Sequence, residues 1–439
     1  MQEFFDLNYW KNFFTSSPTR KRLTENFLSL SALQVVNYLL PLVTLPYLVR
    51  VLGPEKFGLI AFASAFIGYF TILTDYGFNL SATREISIHR EEKEKVSEIF
   101  SSVMIIKFFL GISSFFILGL ILAFIPKFGN DWLVYLFTFG MVLGNILFPV
   151  WFFQGMERMK HIAILNIVAK GIFTVCIFIF IRKIADYLYV PLINSVGFLV
   201  AGGLSLRIVS KDFRVKFILP TIEAIKHQLK EGWHVFISTM AISLYTVSNA
   251  FILGLFTSNT IVGYYSASER IIKATQGLLT PVSQTVYPYI SQLVIESKER
   301  ALSFIRRLVK VVGIGNFMIS LLIFLLAAPI VNIVLGNQYH QSIIVLQILA
   351  FLPFIIGLSN IFGIQTMLTF NLKRAFSKIL ISAGLLNVTL ALILAPLYQH
   401  IGVSIAVLIT EIFVTLSMFL YLAKKGIKLF ERGKFYESF

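Results

Sequence analysis

The chain has 439 residues, of which 57% are hydrophobic and only 14% charged, against roughly 25% charged residues in an ordinary soluble domain. With 44 phenylalanines and a mean hydropathy of +0.80, its surface can be covered only by lipid, which excludes a water-soluble fold of this size. The net charge of +16 does not mark a nucleic-acid partner, because the basic residues fall in short clusters between apolar runs.

Met1 to Arg22 is mixed polar and aromatic, with neither the apolar core nor the cleavage site of a signal peptide. Phe5, Tyr9 and Phe13 recur at helical spacing beside Lys11, Arg20, Lys21 and Arg22, which suits an amphipathic helix at the membrane surface or a disordered tail. Apolar runs of about twenty residues then follow, each long enough to cross a ~30 Å hydrocarbon core. Twelve are expected, at 26–50, 57–84, 96–125, 131–156, 159–181, 187–207, 230–256, 260–293, 301–335, 341–369, 374–396 and 400–423. Pro41 and Pro46 interrupt the first, and Pro281 and Pro288 the eighth, each removing a backbone donor. Cys176, the single cysteine, lies inside an apolar run and reads as helix packing, with no disulfide available to it.

Alternate connections between these runs carry 29 Lys and Arg on one side and 5 on the other. That bias places both termini in the cytoplasm and makes the number of spans even. The longest polar connection divides the spans six and six. The expected organisation is a cytoplasmic segment 1–25, an amino-terminal lobe 26–209, a cytoplasmic linker 210–229, a carboxy-terminal lobe 230–424 and a cytoplasmic tail 425–439. An internal echo joins the halves: Pro54-Glu55-Lys56-Phe57-Gly58 resembles Asn259-Thr260-Ile261-Val262-Gly263 at an offset of about 205, and Met156 to Lys160 resembles Thr369 to Lys373 at about 213. Because six is even, the repeat is parallel, about an axis along the membrane normal, and leaves a central cleft.

No phosphate-binding glycine loop, His-Glu-x-x-His pair or Cys/His ligand spacing is present, so neither ATP hydrolysis, a metal nor another cofactor is expected. The informative residues are ionisable ones inside spans, each opposed by roughly 2.5–3.5 kcal/mol at the bilayer centre. Asp75 continues a polar stripe of Ser64, Gly68, Thr71 and Asn79. Lys107 shares a face with Gly111 and Ser114, and Lys170 with Ala163, Asn166 and Thr174. Arg270 and Lys273 align with Ser266, Gly277, Thr280 and Gln284, while Glu411 sits with Ser404 and Thr415. Glu269 and Lys273, four residues apart, can also pair locally, and a purely structural role for all these charges is the competing reading. Cations outnumber acids in mid-membrane, which suits an anionic ligand. Lys107, Lys170, Arg270 and Lys273, with Arg84 at the cytoplasmic entrance, are the candidate substrate-binding residues, and Asp75, Glu269 and Glu411 the candidates for ion coupling.

Three segments carry a family likeness: Leu52-Gly53-Pro54-Glu55-Lys56-Phe57-Gly58, the stretch Asp75-Tyr76-Gly77 to Arg84-Glu85-Ile86, and Phe152-Phe153-Gln154-Gly155-Met156-Glu157-Arg158-Met159-Lys160. In order and spacing they resemble the Wzx-type flippases of the polysaccharide-transporter branch of the multidrug/oligosaccharidyl-lipid/polysaccharide exporter superfamily. The resemblance implies an all-α bacterial inner-membrane protein, with twelve helices in two six-helix lobes around a cationic cavity. It implies transport of an undecaprenyl-diphosphate-linked saccharide to the periplasmic leaflet for O-antigen or a related polysaccharide, with membrane lipid and a downstream polymerase as partners. The rivals are a multidrug or cation exporter of the same superfamily, which would favour acidic pockets, and a lipid II flippase, which usually carries two further spans. A membrane polymerase or ligase needs a large external loop, and every outward connection here is short.

Overall fold

The structure is a computed structural model that describes residues 18–277, 280–427 and 429. The surface helix expected within the first 17 residues lies outside that set. Among the described residues every regular element is helical. The elements are α1 (Pro18–Asp75), α2 (Ser81–Ile88), α3 (Lys93–Phe124), α4 (Pro126–Gly129), α5 (Trp132–Leu147), α6 (Val150–Gly155), α7 (Met159–Phe180), α8 (Tyr189–Lys211), α9 (Ile222–Thr246), α10 (Ser248–Phe256), α11 (Asn259–Gly277), α12 (Thr280–Glu296), α13 (Lys298–Leu325), α14 (Ala327–Ile330), α15 (Ser342–Leu349), α16 (Leu352–Asn360) and α17 (Lys373–Lys424). Wide-turn helix Ile361–Leu368 continues α16, and Asn337–Tyr339 forms a tight helical turn before α15.

Eight of the helical stretches among the described residues are long and apolar enough to cross a membrane, where twelve runs were expected. Two of the eight exceed one crossing. The 52 residues of α17 would reach about 78 Å if straight, more than twice a ~30 Å core. Gln399 breaks the helix at φ 51°, and the Asn387 amide on one arm donates to Thr410 Oγ1 on the other at 3.3 Å. Residues equidistant from Gln399 therefore meet, so the two arms run antiparallel. In α1 the break is Gly53 at φ 68°. Leu33, before it, packs on the cluster that contains Phe78, beyond it, so the chain has doubled back between them. The runs expected at 230–256 and 260–293 hold none of the eight, because α9 begins with Lys226, Lys230 and Glu231 and α11 concentrates Glu269, Arg270 and Lys273.

The helices form two compact units, 1–40 with 66–240, and 41–65 with 241–439. The first is built on an aromatic core of Phe78, Phe100, Trp151, Phe152 and Phe153. The start of α9 belongs to it because Tyr76 stacks on Phe236 at 5.0 Å, while Glu85 meets His227 and Gln228, each at 3.2 Å. The second has a core of Ile290, Ile305, Phe362 and Met418. It includes 41–65, assigned to the amino-terminal lobe on sequence, because α1 touches the start of α11 backbone to backbone. A Cβ on Gly58 would lie 1.8 Å from the Asn259 carbonyl oxygen, and one on Gly263 2.0 Å from that of Pro54. The contact is reciprocal at the offset of 205 expected from the sequence echo, as a two-fold relation requires. Neither clash can be relieved by a side-chain rotation. Gly58→Ala and Gly263→Ala should each cost about 1–3 kcal/mol, read as a lowered thermal midpoint of the purified protein.

The second echo is also structural, at a corrected register of 214. Glu157 (φ 55°) and Asn371 (φ 61°) occupy the same left-handed position. Arg158 N donates to Phe153 O at 2.8 Å, and Leu372 N to Met367 O at 2.7 Å. Both are helix ends closed by a left-handed residue with a six-residue backbone loop, the Schellman arrangement.

Candidate functional site

Helix α3 shows how the charged positions are placed. Phe108, Phe109, Ile112, Phe115 and Phe116 are exposed at 50–67%, the face suited to lipid, whereas Lys107, Gly111 and Ser114 lie on the buried face. Lys107, 1% exposed, reaches across to another helix: its Nζ donates to Asp75 Oδ1 at 3.0 Å and to both the side-chain and backbone oxygens of Asn145 at 3.4 Å. No acid stands within a helical turn of Lys107, so this partner was invisible to local spacing. In the same unit, Lys170 Nζ donates to the neutral Asn37 Oδ1 at 2.6 Å. Arg84 is exposed and approaches Glu231 at 4.0 Å.

In the second unit Lys273 pairs with Glu269 at 2.9 Å, the local pairing that their spacing allows, and the Tyr265 hydroxyl donates to the same carboxylate at 3.4 Å. Arg270, between them in sequence, points elsewhere. Its Cζ sits 4.9 Å above the ring of Phe57, which meets Tyr339 edge-on at 6.4 Å. Tyr339 is fully buried, and among the described residues its hydroxyl has no hydrogen-bond partner. Burial drives that phenol well above its ordinary pKa, with the Arg270 guanidinium pulling the other way. Glu411 is partly buried beside Ser404 and Thr415, and among the described residues no cation pairs with it.

The eight candidates thus sort by partner. Lys107 and Lys273 are neutralised by Asp75 and Glu269. Lys170 and Arg270 have no acidic side chain at ion-pair distance among the described residues, one holding an amide and the other an aromatic face. Asn37, Asn145, Phe57 and Tyr339 are the residues that sequence reasoning missed, because each arrives from a different helix or loop.

Helical stretches with lipid-facing aromatic residues, and cations held inside them, define a multi-pass membrane transport protein. The chain belongs to the polysaccharide biosynthesis protein family, which it matches over residues 23–294. It is 37% identical over 399 residues to "Putative O-antigen transporter" of Escherichia coli (strain K12), covering 91% of this chain and 96% of that one. A protein of the same name from Shigella dysenteriae is 28% identical, covering 90% and 99%. Among solved structures it resembles an inward-facing multidrug resistance MATE family transporter of the MOP superfamily, with a TM-score of 0.70, 15% identity and coverage of 91% and 98%. The lipid II flippase MurJ in its inward closed conformation gives a TM-score of 0.68 at 14% identity, covering 92% and 87%. These two likenesses establish the fold.

Proposed function

We propose that the chain flips an undecaprenyl-diphosphate-linked oligosaccharide repeat unit from the cytoplasmic to the periplasmic leaflet of the bacterial inner membrane. Twelve spans in two six-helix lobes around a cationic cavity, with both termini cytoplasmic, would carry it by alternating access. The observation that bears most weight is that, among the described residues, Lys170 and Arg270 hold no acidic partner at ion-pair distance. A diphosphate cannot cross ~30 Å of hydrocarbon unpaired, whereas the prenyl chain stays in lipid throughout. Paired cations are already spent on Asp75 and Glu269, so binding falls to the unspent ones, with Lys107, Lys273 and Arg84 lending field along the route. The names of the relatives support a saccharide cargo, and the MurJ-like fold supports a lipid-linked one.

Proton or cation coupling through Asp75, Glu269 or Glu411 is part of the proposal. Glu411, which has no cation paired with it among the described residues, differs from the other two in having nothing to release before it can accept an ion.

Purified chain in proteoliposomes should expose a prenyl-diphosphate saccharide on the opposite leaflet, read by lectin access, while a phosphatase fused near Lys216 should stay inactive in cells. Protein-free vesicles matching that rate, or polymer forming in place of flipped substrate, would reject the reading. Periplasmic activity from the fusion would invert the topology.

A further inference from the structure

We infer that the first unit carries an anionic-phospholipid headgroup site on its cation-rich face, in a pocket walled by Arg90, Lys93, Arg158, His161 and Arg214. The pocket has a volume of about 430 Å³ and closes on Val96, Met156 and Phe213. Neither Lys170 nor Arg270 lines it, and the transport reading leaves it without a role.

The walls come from three connections that are far apart in sequence and fastened to one another. Arg90 Nε donates to the Gly155 carbonyl at 3.2 Å, and its terminal nitrogen to Glu157 Oε1 at 2.8 Å, which clamps the left-handed turn at Glu157. The segment after α8 is clipped to α3 by two backbone donors, Lys216 N to Ser97 Oγ at 3.2 Å and Ile218 N to Ser101 Oγ at 3.0 Å. Arg214 is itself left-handed, at φ 55°. The ring of His161 lies 5.5 Å from that of Phe153 and 5.9 Å from that of Phe213. A merely solvated basic surface needs none of these constraints, and non-glycine residues held at positive φ persist only where the surroundings fix them.

Arg90 is spent on its clamp. Lys93, Arg158 and Arg214 are exposed, and among the described residues none forms an ion pair, although Glu91 and Asp212 share the pocket. Three cations at one concave mouth select an anion with several oxygens, and the guanidinium forks suit a phosphate. Its source is read from the neighbours. The pocket caps α3 and α7, whose exposed sides carry Phe108, Phe109, Ile164 and Val168. Beside it Phe217 and Leu219 are 61% and 89% exposed. A phosphate arriving with acyl chains satisfies both the cations and this apolar rim, whereas a soluble phosphate leaves the rim in water. Basic pockets between helix ends on the cytoplasmic side are suited to anionic headgroups.

The test uses the full chain purified in neutral detergent, with bound lipid followed by native mass spectrometry and by thermal midpoint. Cardiolipin or phosphatidylglycerol should bind and raise the midpoint, and phosphatidylcholine or inorganic pyrophosphate at equal phosphate should not. Removing two lipid-facing cations with Arg158→Gln and Arg214→Gln should weaken apparent affinity about 30-fold. Removing two elsewhere, with Lys424→Gln and Lys425→Gln, should leave it unchanged. Because the targeted side chains are exposed, folding should survive; if the first pair does not fold, Lys93→Gln with Arg158→Gln gives the same reading. Equal response to phosphatidylcholine, or undiminished binding in the pocket variants, overturns the site. A shift reproduced by pyrophosphate overturns the lipid assignment in favour of a soluble anion.

Discussion

Arg270→Ala should lower the flipping rate about 100-fold or more while the chain still inserts and purifies normally, the scale expected when a desolvated charge that meets its ligand is truncated. Among the described residues Arg270 forms no ion pair with a carboxylate: its guanidinium lies over Phe57 at 4.9 Å, and Lys273 takes Glu269 instead. An aromatic face orients a guanidinium without neutralising it, leaving the charge available to phosphate oxygens. Arg270→Lys should recover part of the rate, because a point charge remains but the planar fork is lost. Phe57→Leu should be milder, since a cation over a ring is worth about 0.5–2 kcal/mol. Lys424→Ala, at the end of α17, serves as the control and should be neutral. If Arg270→Ala transports at the wild-type rate, or fails only because it no longer inserts, the residue is a packing element and the headgroup-binding role is lost.

Much of the fold was legible because lipid imposes a length rule on apolar runs. The doubled-back arms of α1 and α17 follow from that length rule, since neither helix can run straight through a single bilayer. The reversals themselves were harder to place. Gly53 is a residue that sequence can nominate for a left-handed break, but Gln399 occupies the same kind of position with no glycine to mark it. The second echo was read one residue out of register because at an offset of 213 Met159 meets Leu372 and Lys160 meets Lys373, whereas the left-handed match of Glu157 with Asn371 is one that side-chain chemistry does not announce.

The site divides in the same way. Helical spacing gave the pairing of Glu269 with Lys273, a contact within one helix turn. It also placed Lys107 with Gly111 and Ser114 on one face, which is the buried face of α3. Partners from other helices were beyond it. Asp75 and Lys107 are 32 residues apart, Lys170 and Asn37 are 133 apart, and Phe57 reaches Arg270 from a different helix. These partners change the meaning of each charge: five cations that looked alike in sequence become two neutralised by acids, one at an exposed edge and two unspent.

The Asp75 and Lys107 pair carries the second large effect, and a double substitution separates its two possible roles. Lys107→Ala leaves the Asp75 carboxylate, 24% exposed, without its ammonium partner, and breaking a largely buried pair from one side costs up to about 3–5 kcal/mol. The expected result is a sharply lower thermal midpoint and poor membrane yield. Asp75→Asn should cost less, because its amide oxygen still accepts from the Lys107 ammonium that now sits at 3.0 Å from a carboxylate. Combining Asp75→Leu with Lys107→Met removes both charges and fills the space with apolar side chains, so stability should return toward the wild type. Transport then decides between roles. If the pair only ties helices together, the double variant regains flipping along with its midpoint. If Asp75 exchanges Lys107 for an ion during the cycle, the double variant is stable yet inactive, and Asp75→Asn, which lacks the same carboxylate, inserts but does not flip. Recovery of both stability and pH-dependent transport in the double variant would remove Asp75 from the coupling proposal and leave Glu269 and Glu411 to carry it.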